Sequence, residues 1–397
     1  MTFKQKDEQQ RKYTQYRSKK KRKKIRNPSQ LGKKNCWATY AAVMLKAIKI
    51  AAFLLMMTTF GFYYGIPYTI LNSVGKHLNG FTSFILKSET CNPVNGWINT
   101  TVTPAPRTPS EVLKEGNGII FLESTDRMKL PPLVLCAAES AARVYKDRPV
   151  AFFMKGLNET NNEEIVKKHF PMLSSLRNIY FFPMNLKELF TGTPLDDWFS
   201  KLQINIQQQS YWTHVSSDGC RLVLVWKYGG IYLDTDVISI RTIPKQNFLA
   251  AEHAQSSSNG VFGFSPRHNF TQKCMEGFVK NYNSHAWGNQ GPVLFTRVIK
   301  TFCDLPKFNE NNETLCANIT IFKPNRFYPI SYPGWKSYYE VWKKLPTFDD
   351  SYGLHLWNYM NNGKVKMVPG SNVLAEHLYK TYCPSTYDAI LRNEISF

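Results

Sequence analysis

The sequence has 397 residues, of which 43% are hydrophobic and 14% aromatic. This is enough apolar material for one or two folded domains, and it excludes a chain that is disordered throughout. The net charge of +21 suggests a nucleic-acid partner, but fourteen Lys or Arg residues lie within residues 1–34 alone. Because the charge belongs mainly to an N-terminal tail, we expect no nucleic-acid partner for the body of the protein.

An uncharged apolar segment follows the tail. No charged residue occurs between Ile50 and Gly75, and a helix that crosses a bilayer needs about 20 mostly apolar residues. We therefore assign residues 1–49 as a basic cytosolic tail and residues 50–72 as a transmembrane signal-anchor, since Lys and Arg stay on the cytosolic side. Two alternatives are a buried core helix and a nuclear protein whose localisation signal is the basic run Lys19–Lys24.

The chain after the apolar segment has the features of a lumenal protein. Residues 73–114 are rich in Pro and polar residues and are predicted to form an extended stem. Residues 115–397 are predicted to form one lumenal domain. Five N-x-Ser/Thr sequons follow the apolar segment, at Asn99, Asn158, Asn269, Asn312 and Asn318.

Seven of the eight cysteines also follow the apolar segment, on the side of the membrane where disulfides persist. We predict that Cys303 pairs with Cys316 across a polar loop. An odd number of cysteines leaves at least one thiol that is free or bridges to another chain.

Strand and helix patterns alternate from residue 119 onward. Strands are predicted at 119–122, 150–154, 179–182 and 230–233, and helices at 130–145, 163–169, 194–202, 215–227, 272–282 and 292–302. This order predicts an α/β fold with a mostly parallel sheet, in which ligands bind at the carboxyl ends of strands. The segment Ser258-Asn259-Gly260 is predicted to be a turn.

The segment from Ser217 to Asp236 is the most informative part of the sequence. A helix is predicted to end at Gly229-Gly230, and the next strand leads into Asp234-Thr235-Asp236. On a regular strand, carboxylates at i and i+2 point to the same side, and such oxygen ligands suit Mg²⁺ or Mn²⁺. The alternative for Asp-x-Asp is a solvated turn. Asp218 and Arg221, one helical turn apart, are either part of the same site or a buried structural pair.

The chain resembles the α1,4-galactosyltransferases and α1,4-N-acetylglucosaminyltransferases of globotriaosylceramide synthase type, a group of retaining glycosyltransferases with an Asp-x-Asp motif. The resemblance covers roughly residues 116–397 and rests on motifs in one order. These are Phe121-Leu122-Glu123, Glu139-Ser140-Ala141-Ala142-Arg143, Met154-Lys155-Gly156-Leu157, Thr193-Pro194-Leu195, the Ser217 to Asp236 block, Trp287-Gly288-Asn289-Gln290-Gly291-Pro292, Phe327-Tyr328-Pro329-Ile330, His355-Leu356-Trp357-Asn358 and Tyr382-Cys383-Pro384.

The resemblance implies a GT-A fold, in which a Rossmann-like nucleotide-binding half is fused to an acceptor half. It implies that Asp234 and Asp236 hold Mn²⁺ (or Mg²⁺) against the diphosphate of a UDP-sugar, and that Tyr232 lies against the nucleotide. Asp218 and Arg221 are then expected to bind hydroxyls of the donor hexose, and the loop at Glu123 to contact uridine.

Two later segments add expectations. His355 offers an imidazole as a third metal ligand or as a donor to the diphosphate, and the alternative is a core histidine. In the segment 287–292, the amides of Asn289 and Gln290 are expected to contact the acceptor or the transferred hexose, with Gln290 as a catalytic candidate. The alternative there is a turn that caps the helix starting at Pro292.

Together these features predict a type II, single-pass Golgi membrane enzyme with a lumenal catalytic domain. We expect it to transfer galactose from UDP-galactose in α1,4 linkage to a glycosphingolipid such as lactosylceramide, with retention of configuration. The alternative donors are UDP-N-acetylgalactosamine and UDP-N-acetylglucosamine, with a glycosphingolipid or glycoprotein acceptor. An inactive, lectin-like protein of the same fold is a further alternative, against which the intact Asp-x-Asp argues.

Overall fold

The computed structural model describes residues 107–158, 162–202, 211–283 and 285–395. The predicted tail and transmembrane segment, and all of the stem before residue 107, lie outside this range. Within these residues, no helix combines the length and apolar character needed to cross a membrane.

The described chain alternates strands and helices. The strands are β1 Ile119–Glu123, β2 Val150–Met154, β3 Ile179–Pro183, β4 Gly230–Leu233, β5 Val237–Ser239, β6 Phe248–His253, β7 Ser256–Phe264, β8 Thr314–Cys316, β9 Ile319–Phe322 and β10 Gly353–His355. The α-helices are α1 Pro109–Val112, α2 Pro132–Val144, α3 Asn162–His169, α4 Pro171–Ser174, α5 Leu186–Phe190, α6 Asp196–Leu202, α7 Trp212–Tyr228, α8 Asn269–Lys280, α9 Pro292–Ile299, α10 Asn358–Asn361, α11 Leu374–Tyr382 and α12 Pro384–Leu391. Short 3₁₀ helices span Pro324–Arg326 and Tyr332–Tyr339.

Eight strands form a mixed sheet in the order β3-β2-β1-β4-β7-β6-β9-β8. Strands β1 to β4 are parallel, as predicted. Beyond β4 the sheet turns mainly antiparallel, because β7 runs against both β4 and β6. The sequence therefore predicted the parallel half correctly and missed the mixed half. The reason is that β6–β7 and β8–β9 are hairpins, and the connection from β7 to β8 contains two helices, α8 and α9, with no strand between them.

Both faces of the sheet are covered. Along β1, Ile119 and Phe121 join one core cluster while Ile120 and Leu122 join the other. Helix α2 packs on the first face and α7 on the second. Continuous burial of all five β1 residues follows from this two-sided covering.

The compact part begins earlier than residue 115. Helix α1 starts after Thr108, whose hydroxyl accepts from the Glu111 N–H while the Glu111 carboxylate accepts from the Thr108 N–H. Leu113 is then buried in the α7-side core. The end of the predicted stem is thus part of the folded domain.

Two disulfides are formed in the described residues. Cys303 pairs with Cys316, as predicted. Cys136 in α2 pairs with Cys383 before α12, a bond that closes a loop of 247 residues and could not be read from spacing. Cys220 and Cys274 are free and buried.

Gly230 is the first residue of β4, and we predict that its replacement by alanine destabilises the fold. Its φ is +101°, and a Cβ there would lie 2.3 Å from the Gly118 carbonyl oxygen, so backbone must move. We expect Gly230→Ala to lower the free energy of unfolding by about 3 kcal/mol or more, measured by urea denaturation.

Gly192→Ala is the matched control, because Gly192 also has positive φ (+71°) but open space around its Cβ position. It should cost only about 1–2 kcal/mol, the price of the left-handed backbone alone. Equal losses in the two variants would contradict the assigned contact with Gly118.

Candidate active site

The Asp-x-Asp segment forms a tight turn between β4 and β5. Asp234 follows the last residue of β4, and its carbonyl oxygen accepts from the Val237 N–H at 3.0 Å. The two aspartates therefore converge through this turn and not through the period of a regular strand, which corrects the expected geometry. The turn lies at the carboxyl end of β4, where ligands bind in parallel sheets.

One oxygen of Asp234 is held by the protein. Oδ1 accepts from Arg221 Nη1 at 2.8 Å and from the Tyr232 hydroxyl at 2.7 Å. On the other side, a Cβ at Gly260 would lie 2.6 Å from Oδ2. Asp234 is thus fixed through Oδ1, and only glycine at position 260 leaves room beside Oδ2.

His355 reaches the turn through a small second sheet. Strand β10 pairs antiparallel with β5, which sets His355 opposite Val237. Its Nε2 lies 3.4 Å from Asp236 Oδ1 and 3.9 Å from Asp234 Oδ2. His355 is therefore a site residue and not an isolated core histidine.

The three groups fit a divalent cation. Asp234 Oδ2, Asp236 Oδ1 and His355 Nε2 all lie within 4.8 Å of one another. Metal–ligand bonds of about 2.1 Å place neighbouring ligands roughly 3–4 Å apart. The remaining oxygen of Asp236, Oδ2, accepts from the Asn358 N–H at 2.8 Å. Each aspartate is therefore anchored through one oxygen and presents the other to the same point.

The electrostatics of these groups reflect crowded, buried charge. Burial opposes ionisation of Asp234, but Arg221 and His355 hold its pKa below the ordinary value. Burial, together with the charge of Asp234, raises the pKa of Asp236 despite the opposing effect of His355. The pKa of His355 is raised by both aspartates against the effect of burial. The raised pKa values of Asp236 and His355 indicate an excess of negative charge at the site, which a cation would neutralise.

Asp218 and Arg221 project from α7 toward the same turn. The Arg221 guanidinium donates to Asp234, to the Asn259 carbonyl oxygen at 3.0 Å and to the Ser217 hydroxyl at 2.8 Å. Asn259 Nδ2 donates to Asp218 Oδ1 at 2.6 Å. Burial raises the pKa of Asp218 to about 6. Both side chains are thus engaged within the protein through these contacts, and their expected hydrogen bonds with hydroxyls of the donor hexose stay a prediction.

Two residues expected to contact the nucleotide are engaged within the protein. Tyr232 is 1% exposed and its ring packs in the α7-side core, while its hydroxyl donates to Asp234. Strand alternation places it on the α7 side of β4, and its contact with a nucleotide stays a prediction. The Glu123 carboxylate accepts from the Thr125 N–H at 2.9 Å and from Arg127 Nε at 2.6 Å. It stabilises its own loop, and its contact with uridine stays a prediction.

Gln290 is likewise engaged with backbone. Its amide donates to the Phe278 carbonyl oxygen at 2.9 Å and to that of Asn281 at 3.2 Å, and its side chain is 1% exposed. Asn289 also donates to Asn281, at 2.7 Å. These contacts favour the structural alternative for this segment, in which the amides fix the loop before α9.

Sequence reasoning missed Asn259, Gly260 and Asn358. Residues 258–260 lie within β7 and not in a turn. The Asn-Gly pair suggested a turn, but β7 is an interior strand whose glycine permits close approach of Asp234. The segment Ser256–Phe264 begins Ser-Ser-Ser-Asn-Gly, a composition typical of turns, so the local pattern gave no signal for a strand at residues 258–260. Asn358 acts through its backbone N–H, for which side-chain identity gives no signal.

A cavity of about 730 Å³ opens at the same edge of the sheet. Its lining follows the carboxyl ends of the first three strands and includes Asp126, Lys155, Asn158, Met184 and Asn185. It does not include the three candidate metal ligands. It is a concave space of the size that small-molecule sites have.

Two family descriptions match the chain. The conserved region of alpha 1,4-glycosyltransferases matches residues 263–390. The glycosyltransferase sugar-binding region containing the DXD motif matches residues 131–255 and so includes Asp234 and Asp236.

Relatives match over most of the described fold. Human alpha-1,4-N-acetylglucosaminyltransferase is 49% identical over 283 residues, which is 71% of this chain and 83% of that protein. Human lactosylceramide 4-alpha-galactosyltransferase is 37% identical over 294 residues, 73% of this chain and 81% of that protein. The solved galactosyltransferase LgtC is 14% identical and aligns over 64% of this chain and 98% of its own, with a TM-score of 0.33, a similarity too low to support an inference. From its family matches and relatives, the chain belongs to the α1,4-glycosyltransferase family and is a hexosyltransferase.

Proposed function

We propose that this protein is a metal-dependent, retaining α1,4-glycosyltransferase of GT-A architecture that uses a UDP-sugar donor. The observation that carries the proposal is the convergence of Asp234 Oδ2, Asp236 Oδ1 and His355 Nε2 at the end of β4. A set of two carboxylates and an imidazole suits Mn²⁺ better than Mg²⁺, which favours oxygen ligands. The parallel strands β1 to β4 would carry the nucleotide, and the 730 Å³ cavity beside them offers it space.

The bound cation would supply charge stabilisation to the departing UDP. Arg221 and Tyr232 keep Asp234 in place for that task. Asp218 Oδ2 accepts a hydrogen bond from a hydroxyl of the transferred hexose. The acceptor oxygen bonds to the anomeric carbon on the face from which UDP leaves, and the acceptor proton passes to a diphosphate oxygen. A glycosylated Asp or Glu trapped with a slow donor would contradict this front-face substitution.

The donor that we propose is the one supported by the higher sequence identity. The sequence suggested galactose, with N-acetylhexosamines as alternatives. Identity of 49% to an N-acetylglucosaminyltransferase, against 37% to a galactosyltransferase, favours N-acetylglucosamine. The acceptor we propose is a galactose-terminated glycan of a glycolipid or glycoprotein. N-acetylglucosamine differs from galactose in the acetamido group at C2 and in the configuration at C4, so pocket shape at these two carbons decides between the donors.

The location we propose is the Golgi membrane, with a cytosolic N-terminus and the catalytic domain in the lumen. Support comes from the two disulfides, which persist in oxidising compartments, and from exposed sequon asparagines outside the cavity, at Asn269, Asn312 and Asn318. We expect a glycosidase that removes N-glycans to increase the gel mobility of the full chain. Proteolysis of residues 107–395 from the cytosolic side of sealed microsomes would contradict this topology.

The proposed activity is tested on the full chain in detergent by measuring UDP release with each donor. We expect release that requires Mn²⁺ and is faster with UDP-N-acetylglucosamine than with UDP-galactose. We expect Asp236→Asn to reduce it by about a thousandfold, since one preorganised charge contact contributes several kcal/mol. We choose Asp236 because asparagine at this position keeps an acceptor for the Asn358 N–H. Replacing Asp234 would instead leave the Arg221 charge buried without its closest partner.

Asp388→Asn is the matched control, because Asp388 is exposed on α12, outside the site. It should retain wild-type activity. Metal-independent release, or an Asp236→Asn protein of unchanged activity, would refute the proposed function.

A further inference from the structure

Two exposed aromatic side chains stack on each other beside the site. Trp287 and Tyr359 are each 53% exposed, and their ring centroids lie 5.4 Å apart with an interplanar angle of 21°. The His214 ring meets Tyr359 edge-on at 5.1 Å. We call Trp287 and Tyr359 the aromatic platform. Large apolar rings left together in water mark a binding surface, because covering them removes apolar area from solvent.

Both rings belong to segments that touch the catalytic groups. Tyr359 follows Asn358, whose N–H binds Asp236. Trp287 begins the loop that ends at Gly291, where a Cβ would lie 3.0 Å from Asp218 Oδ2. The platform therefore stands at the rim of the site, next to the group that we assign to the transferred hexose.

The backbone under the platform is braced. Gln290 and Asn289 tie the Trp287 loop to the end of α8 through the Phe278 and Asn281 carbonyl oxygens. On the Tyr359 side, Asn361 Nδ2 donates to the Val365 carbonyl oxygen at 2.7 Å and to the Tyr339 hydroxyl at 3.2 Å. These contacts hold both rings in place before a ligand arrives, which lowers the entropy cost of binding.

We propose that the aromatic platform binds the terminal hexose of the acceptor, with the C–H face of that sugar covering Trp287 and Tyr359. This rests on the proposed function, since an acceptor must hold its hydroxyl about 3–3.5 Å from the anomeric carbon of the donor. A hexose has one apolar face and a polar rim. The platform offers flat rings to the apolar face, and the polar His214 ring meets Tyr359 at its edge.

The experiment measures transfer from the active UDP-sugar to lactose, a soluble galactose-terminated probe, by the full chain in detergent. Trp287→Leu and Tyr359→Leu keep apolar volume but remove the flat ring, whereas Trp287→Phe and Tyr359→Phe retain a ring. We expect the leucine variants to raise the KM for lactose at least tenfold and to change the KM for the donor less than twofold. The phenylalanine variants should stay within threefold of the wild type for both.

Leu315→Ser is the control for loss of exposed apolar surface, because Leu315 is 72% exposed on β8 at the far edge of the sheet. It should leave both KM values unchanged. An unchanged lactose KM in the leucine variants, or equal changes in both KM values, would overturn the proposal.

A binding measurement separates this proposal from the proposed function. If the wild type transfers no sugar, saturation-transfer NMR of lactose with the chain still reports on the platform. Saturation of lactose that is lost in Trp287→Leu supports the platform, and saturation that persists overturns it. Phosphatidylcholine vesicles give the competing outcome: vesicle binding that falls in Trp287→Leu would show that a bilayer covers the rings.

Discussion

The ion pair between Arg221 and Asp234 is the contact on which the site depends. Two charges taken out of water are costly unless their geometry is good and their other hydrogen bonds are satisfied. Here the pair is 2.8 Å long, and the remaining guanidinium donors reach Asn259 and Ser217. The pair links α7 to the end of β4 and so sets the position of the whole Asp-x-Asp turn.

Because of this anchoring, the two oxygens of each aspartate have different surroundings. One oxygen of Asp234 and one of Asp236 are bound by protein donors, and the other two face His355. The charge of Asp234 raises the pKa of Asp236, since the two carboxylates repel each other. Asp236, Asp234 and Glu252 together raise the pKa of His355 against the effect of burial. A divalent ion relieves that repulsion, which is a physical reason for the metal requirement that the DXD family implies.

The site also lies where the sheet changes character. Strand β4 has a parallel neighbour, β1, on one side and an antiparallel neighbour, β7, on the other. Helix α7 and β4 supply Arg221 and Asp234, β7 supplies Asn259 and Gly260, and the C-terminal segment supplies His355 and Asn358. The strand order also reverses between β1 and β4, because β2 and β3 lie on one side of β1 and β4 on the other. Ligands bind at such a switch point because the connections from the neighbouring strands diverge and leave a crevice. In the function that we propose, the half that precedes Asp234 holds the nucleotide, and the later segments carry the platform at the rim of the site.

The sequence by itself determined the features that depend on local pattern. These are the four parallel strands, the helix that ends at Gly229, the Asp-x-Asp at a strand end and the Cys303–Cys316 bond, because period, glycine and short spacing act over a few residues. Tertiary structure alone decided which side chains meet. The α7-side core covered the Tyr232 ring, residues 258–260 became an interior strand, and the β5–β10 pairing brought His355 to Asp236 across more than a hundred residues. Such contacts depend on strand pairing between distant segments. The local sequence pattern of one strand does not specify which other strand it pairs with.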